Sequence, residues 1–211
     1  KRRQPGIDDM NRVLQALGGT PVAHVLGNRY AFDYDPREVV QEIVASGCIP
    51  DAKSHQFYPT PAALAQRVIE LAEIGPEHTC LEPSAGMGGL ADLMPKDRTL
   101  CVEISQLHCK ALEAKGHTVT QADFLALHTN RELFDRVVMN PPFSEGRWQA
   151  HLQHAAAMVA PGGRLVAILP GSAKNSTEMS GFSLEWVGPL SNQFPGVSVD
   201  VVVLVANKES A

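Results

Sequence analysis

The stretch Thr79-Cys80-Leu81-Glu82-Pro83-Ser84-Ala85-Gly86-Met87-Gly88-Gly89 (TCLEPSAGMGG) leads from a short apolar strand into a glycine-rich turn, and GGLADLM after it reads as a helix. Glycines at such a junction let the backbone approach a ligand and adopt unusual φ angles. A helix starting there offers unpaired N–H groups. In dinucleotide enzymes this arrangement holds a pyrophosphate, with an acid about 20 residues further on that takes ribose hydroxyls. Here Glu103 ends the next strand, 17 residues after Gly86. The turn departs from GxGxxG, and Glu82 stands where it would repel a pyrophosphate. An acid at that position suits a cationic or zwitterionic ligand, such as one with an amino-acid moiety.

Outward from the turn, strands and helices alternate. Upstream, Phe57-Tyr58-Pro59-Thr60-Pro61 precedes the helical pattern AALAQRVIELAEI, with Thr60 as the expected N-cap and Pro61 as the first helical residue. Downstream, strands are expected at 99–104, 118–121, 134–139 and 164–169, with helices at 106–115 and 148–159. Asp123-Phe124 follows the third strand of the series. An adenine asks for such a pair, because its exocyclic amine donates to a carboxylate and its ring stacks on an aromatic face. Two more strands, 184–190 and 197–206, are separated by about six residues, too few for a helical crossover, so they should form an antiparallel hairpin. The pattern predicts an α/β fold: a Rossmann-like, doubly wound, mostly parallel seven-stranded sheet with a C-terminal antiparallel hairpin strand. Residues 171–183 read as a small, polar, mobile loop.

The first 55 residues follow a different regime: a helix at 8–17, two strand-like arms around a Gly27-Asn28 hairpin signal, and a helix opened by Asp35-Pro36. They are expected to form a separate extension, with residues 56–211 as the main domain. The chain has 211 residues, 44% hydrophobic and 19% charged, which are globular values. There is no signal-peptide pattern and no apolar run of membrane-spanning length, and the first residue is Lys1 rather than Met, as in a piece of a longer chain. Cys48, Cys80, Cys101 and Cys109 form no CxxC pair and are expected as buried, reduced thiols of a cytoplasmic protein. A net charge of −5 argues against holding nucleic acid by bulk electrostatics alone. His151 and His154 are three residues apart on one helix, but with no third ligand in view no metal site is expected.

The fourth strand ends in Val137-Val138-Met139-Asn140-Pro141-Pro142-Phe143 (VVMNPPF). Two adjacent prolines remove two backbone donors and fix two φ angles, making a stiff corner that presents an amide and an aromatic ring. Together FYPTP, LEPSAGMGG, VEIS, ADFLAL and NPPF, in this order, resemble the class I S-adenosylmethionine-dependent methyltransferases, and more narrowly the DNA adenine-N6 (amino) methyltransferases. The resemblance covers residues 56–207. It implies S-adenosylmethionine as cofactor and DNA as partner. It further implies that Tyr58, Thr60 and Pro61 border the methionine end of the cofactor, and that Glu82, Ser84 and Gly86 line its amino-acid and sugar portions. Glu103 would hold the ribose hydroxyls, Ile104 would lie against the adenine, and Asp123 and Phe124 would bind it. Asn140 and Pro141 would hold the target amine, with Pro142 stiffening the corner and Phe143 stacking on the target ring.

The chemistry of the corner agrees. An exocyclic aryl amine is a poor nucleophile because its lone pair is delocalised into the ring. Acceptors at the Asn140 side chain and the Pro141 carbonyl take its two N–H groups and favour a pyramidal nitrogen, and the prolines hold those acceptors in place. No strong base is needed before transfer. RNA guanine-N2 and protein glutamine-N5 methyltransferases share the tetrapeptide and are the alternatives, as is a non-catalytic module that only binds cofactor or partner. Only about 13 residues of loop follow the fifth strand, less than DNA enzymes use for sequence recognition; residues 1–55, a separate chain or sequence outside this stretch would supply recognition, and a non-sequence-specific enzyme would need none. Arg147 and Lys174 are the candidate phosphate contacts.

Overall fold

The computed structural model describes residues 7–23, 29–32, 35–37, 40, 59–127, 133–143, 146–194 and 200–210. Nine strands lie among them: β1 (Thr20–Val22), β2 (Arg29–Ala31), β3 (Cys80–Glu82), β4 (Thr99–Glu103), β5 (Thr118–Gln121), β6 (Phe134–Met139), β7 (Val159–Pro170), β8 (Phe182–Leu190) and β9 (Val201–Lys208). Four helices accompany them: α1 (Ile7–Ala16), α2 (Ala62–Ala72), α3 (Gln106–Ala114) and α4 (Arg147–Ala157).

Seven strands form one sheet in the order β5-β4-β3-β6-β7-β9-β8. The first five are parallel neighbours, and β9 runs antiparallel between β7 and β8. This is the expected doubly wound sheet with its antiparallel end. Strand side chains alternate between two buried layers, as the period of two demands. Val137, Met139, Leu165, Ala167, Leu169, Val202 and Leu204 face one layer with Trp148, Leu152 and Ala155 of α4. Val138, Val166, Ile168, Val201, Val203 and Val205 face the other, with Leu64, Ala65, Val68 and Ala72 of α2. Burial on both faces explains why these strands read as continuous apolar runs.

From β3 the chain winds outward to β4 and β5, then returns to β6 on the other side of β3. The β3/β6 junction is therefore the point where strand order reverses, and ligands in open α/β sheets bind outside the carboxyl ends of the strands at such a point. Because β3, β4, β5 and β6 are parallel, Glu82, Glu103, Asp123 and Asn140 all come to that one edge.

Several expectations are corrected. GGLADLM is not an α-helix; tight turns lead to a short 3-10 segment, Ala91–Leu93. Pro61, not Thr60, is the N-cap of α2, with φ −61° and ψ 141°, and no side chain caps this helix. Arg29 pairs with Val22, whereas a two-residue Gly27-Asn28 turn would pair it with Leu26; the turn itself lies outside the described residues. Strand β7 begins at Val159 and runs through Pro161-Gly162-Gly163. Leu190 pairs with Val201, so ten residues rather than six separate the last two strands. The 171–183 segment is a 3-10 turn at Gly171–Asn175 followed by the start of β8 at Phe182. Pro36 accepts a hydrogen bond from Val40 N–H at 2.9 Å, one turn of the helix expected there, most of which falls outside the described residues. Leu17 and Phe32 pack with Met87 of the glycine turn and Ala111 of α3, which joins the N-terminal residues to the ligand edge of the sheet. Cys80, Cys101 and Cys109 are buried free thiols.

Candidate functional site

Gly86 and Gly88 adopt φ values of 54° and 90°, a region that favours glycine. This geometry turns the Gly86 N–H onto the Glu103 Oε2 atom at 2.7 Å, while Ser105 N–H donates to Oε1 at 2.8 Å. His108 lies 3.7 Å from the same carboxylate. Burial alone would raise the Glu103 carboxyl, but His108 and the two backbone donors outweigh it and hold the group below its ordinary value. Glu103 is therefore ionised and fixed in place.

Glu82 contrasts with it. It is 2% exposed, and its Oε2 has no hydrogen-bond partner among the described residues. Burial pushes its pKa well above the ordinary value; a hydrogen bond from Ala91 N–H opposes this, and Asp92 and Glu103 add to it. A buried orphan acceptor beside a glycine turn fits a ligand that brings a donor or a positive charge.

Asn140 lies past the end of β6, half-buried, and its Nδ2 donates to Thr60 Oγ1 at 3.1 Å. Thr60 thus turns the Asn140 amide instead of capping α2. A Cβ built on Gly89 would meet Thr60 at 3.5 Å, so the glycine turn, Thr60 and Asn140 form one contiguous line. Pro141 is buried; Pro142 and Phe143 are half-buried, and Phe143 packs against both core layers. Pro61 is half-buried beside Thr60. Tyr58 lies outside the described residues.

On the opposite flank, Ile104 is 47% exposed, an open apolar surface next to Glu103. The Asp123 carboxylate caps a 3-10 segment, accepting from Leu125 N–H at 3.0 Å. Phe124 is only 3% exposed, with His154 edge-on at 4.8 Å and His151 tilted at 5.6 Å. Its ring is part of the core in this structure rather than an open stacking face. The two histidines are not surface groups: His151 is buried and His154 half-buried. Arg147, at the start of α4, and Lys174, in the turn after β7, are exposed. Among the described residues no three metal-ligating side chains converge, and no helix is long and apolar enough to cross a membrane.

The mostly parallel seven-stranded order with its antiparallel end is shared with a known architecture. The chain has the fold of class I S-adenosylmethionine-dependent methyltransferases. Among solved structures it is similar to TrmN from Thermus thermophilus, at 25% identity and a TM-score of 0.54, covering 70% of this chain and 48% of that one. The chain thus spans about half the length of the Thermus protein. It also superposes on a putative RNA methyltransferase from Pyrococcus horikoshii, with 18% identity, a TM-score of 0.58, and coverage of 83% and 100% of the two chains. A third likeness is to a modification subunit of a putative type I restriction enzyme from Vibrio vulnificus, with 14% identity, a TM-score of 0.57, and coverage of 82% and 48%. No protein-family model and no curated protein matches the sequence.

Sequence reasoning missed a brace behind the glycine turn. Asp92 Oδ2 accepts from Lys115 Nζ at 2.7 Å, and Asp92 Oδ1 lies 2.7 Å from His117 Nε2. Lys115 Nζ also donates to the Met87 carbonyl at 2.9 Å. Burial would raise Asp92, but His117 and Lys115 outweigh it and keep its pKa low. No local pattern could reveal partners 23 and 25 residues apart.

Proposed function

We propose that the chain is an S-adenosylmethionine-dependent methyltransferase acting on an exocyclic amine, N6 of adenine in DNA, with residues 56–211 as the catalytic domain and 1–55 as an extension. The observation that carries this reading is the Asn140–Thr60 hydrogen bond, which joins the NPPF corner to the segment bordering the glycine turn. The residues present fit the cofactor. Glu82 offers a buried, unpartnered acceptor to its ammonium group, and Glu103 offers an ionised, fixed carboxylate to its ribose hydroxyls. Ser84 and Gly86 would line the path between them, Ile104 would lie against the adenine, Asp123 would accept from its amine, and Phe124 would support this pocket from the core.

The bound cofactor supplies an electrophilic methyl group. The protein's own part is positioning. Asn140 and the Pro141 carbonyl accept the two target N–H groups and aim the nitrogen lone pair. Pro142 fixes that corner, and Phe143 stands beside it for the target ring. Neither Asn140 nor Pro141 is a base, so the proton leaves to solvent after transfer. An adenine in duplex DNA must leave the base stack to reach the corner. Arg147 and Lys174 are placed for phosphate contact.

The likeness to a putative RNA methyltransferase favours one second reading, the same chemistry on an amine of RNA. Calorimetry with S-adenosylhomocysteine and a transfer assay test the proposal together. Binding is expected, and Asn140→Ala should abolish transfer while largely sparing binding. Absence of binding would sink the enzyme reading.

A further inference from the structure

His151 sits in the buried stripe of α4, alongside Trp148, Leu152 and Ala155. Leu152 and Ala155 ask nothing of hydrogen bonding and the Trp148 indole brings a single N–H, whereas an imidazole brings two nitrogens that both need partners once buried. One is met: Nδ1 lies 3.4 Å from Ser84 Oγ, on the turn that follows β3. The other is not: Nε2 is buried with no hydrogen-bond partner among the described residues. His154, one turn on, differs, because its Nε2 lies 3.1 Å from the Leu127 carbonyl. Both rings pack on Phe124, so His154 is a satisfied strut while His151 keeps an unmet nitrogen beside Ser84.

Burial, with Arg147 and His154 adding to it and Asp123 opposing, lowers the His151 pKa to about 4, so the ring is neutral at physiological pH. A neutral ring has one N–H. The contact with Ser84 fits either tautomer; we assign the one in which the Ser84 hydroxyl donates to Nδ1, so that the proton resides on Nε2 and the unmet group is a donor. Ser84 belongs to the turn expected to line the amino-acid and sugar portions of the cofactor, and Phe124 to the adenine side. His151 touches both.

We infer that His151 is a cofactor-binding residue, its Nε2–H donating to an acceptor on the nucleoside portion of S-adenosylmethionine while Nδ1 holds Ser84. The inference rests on the function proposed above and extends it to a helix that follows the target corner. It makes α4 a link between the two half-sites, because the helix that begins just past NPPF would also read the cofactor.

The test is nitrogen-15 spectroscopy of the imidazoles in the wild-type protein, with and without S-adenosylhomocysteine. The ligand-free spectrum should show His151 neutral with its proton on Nε2, and saturating ligand should shift that nitrogen and slow exchange of its proton. His151→Leu should weaken S-adenosylhomocysteine about 10-fold, the loss of one hydrogen bond, and His151→Gln should recover most of it. The inference is overturned if the ligand binds the wild-type protein but leaves the His151 nitrogens unmoved, or if His151→Leu binds as tightly as wild type. If the ligand fails to bind the wild-type protein at all, the functional reading falls, and this inference with it. Should His151→Leu not fold, the wild-type spectrum alone decides.

Discussion

Glu82 and Glu103 end adjacent parallel strands, are both buried, and are in opposite electrostatic states. Glu103 receives two backbone N–H donors and a histidine, and its carboxyl is held below the ordinary value. Glu82 keeps one oxygen without a partner among the described residues, and its carboxyl is pushed well above that value. The difference teaches what each half of the pocket is prepared for. A fixed, ionised carboxylate suits neutral hydroxyl donors and needs no rearrangement when they arrive. A carboxyl whose pKa burial pushes up is one that a cation settling beside it would favour in the charged form.

The contrast can be broken most forcefully at Glu103. Glu103→Ala is expected to weaken S-adenosylhomocysteine about 100-fold by calorimetry, from the loss of charge-assisted hydrogen bonds. It should also lower Tm, because Gly86 and Ser105 lose their acceptor. Glu82→Gln should have the opposite effect on stability. Without ligand it removes an unfavourable buried carboxyl, and Tm should rise by about 2–4 °C, corresponding to a gain of roughly 1 kcal/mol. Binding should nevertheless weaken about 10-fold, because the ammonium group loses its charged partner. A fall in Tm for both variants would erase the distinction.

Thr60→Val probes the other half of the edge. The Asn140 amide would lose its anchor, so kcat should drop about 5- to 10-fold, more than cofactor affinity changes. The smallest effect is in the pH dependence of stability. Glu103, depressed in the folded state, contributes stability that is present above the unfolded carboxylate pKa and lost as pH falls through its folded value. Glu82, raised in the folded state, binds its proton more tightly than the unfolded chain does. Its contribution is complete below the unfolded pKa and fades as pH climbs towards its folded value. Denaturant titrations across pH should show Glu103→Ala flattening the acid limb and Glu82→Gln flattening the decline above it.

The layered sheet was legible because buried parallel strands must be apolar and their alternation with helices leaves few topologies. Strands β5 and β6 fall where the pattern puts them, at Thr118–Gln121 and Phe134–Met139. Elements held by tertiary contact were not legible in this way. GGLADLM has helical apolar spacing, yet Asp92 is drawn to Lys115 and His117, and the segment folds as turns. Thr60 before Pro61 has the chemistry of an N-cap, but its hydroxyl serves Asn140, 80 residues away. At the candidate site, the placement of Glu82, Glu103 and Asn140 at the carboxyl ends of parallel strands could be read from strand position. The burial of Phe124 beneath two histidines could not, because α4 and the turn after β5 meet only in three dimensions.

The central claim is that the Asn140 corner delivers a methyl group to the exocyclic amine of adenine in DNA. The direct measurement is incubation with tritiated S-adenosylmethionine and adenine-containing DNA, beside RNA and protein substrates, followed by digestion and chromatography of the nucleosides. The account predicts label in N6-methyladenine from DNA, lost in Asn140→Ala. Label confined to RNA or protein, or none in any substrate, would contradict it.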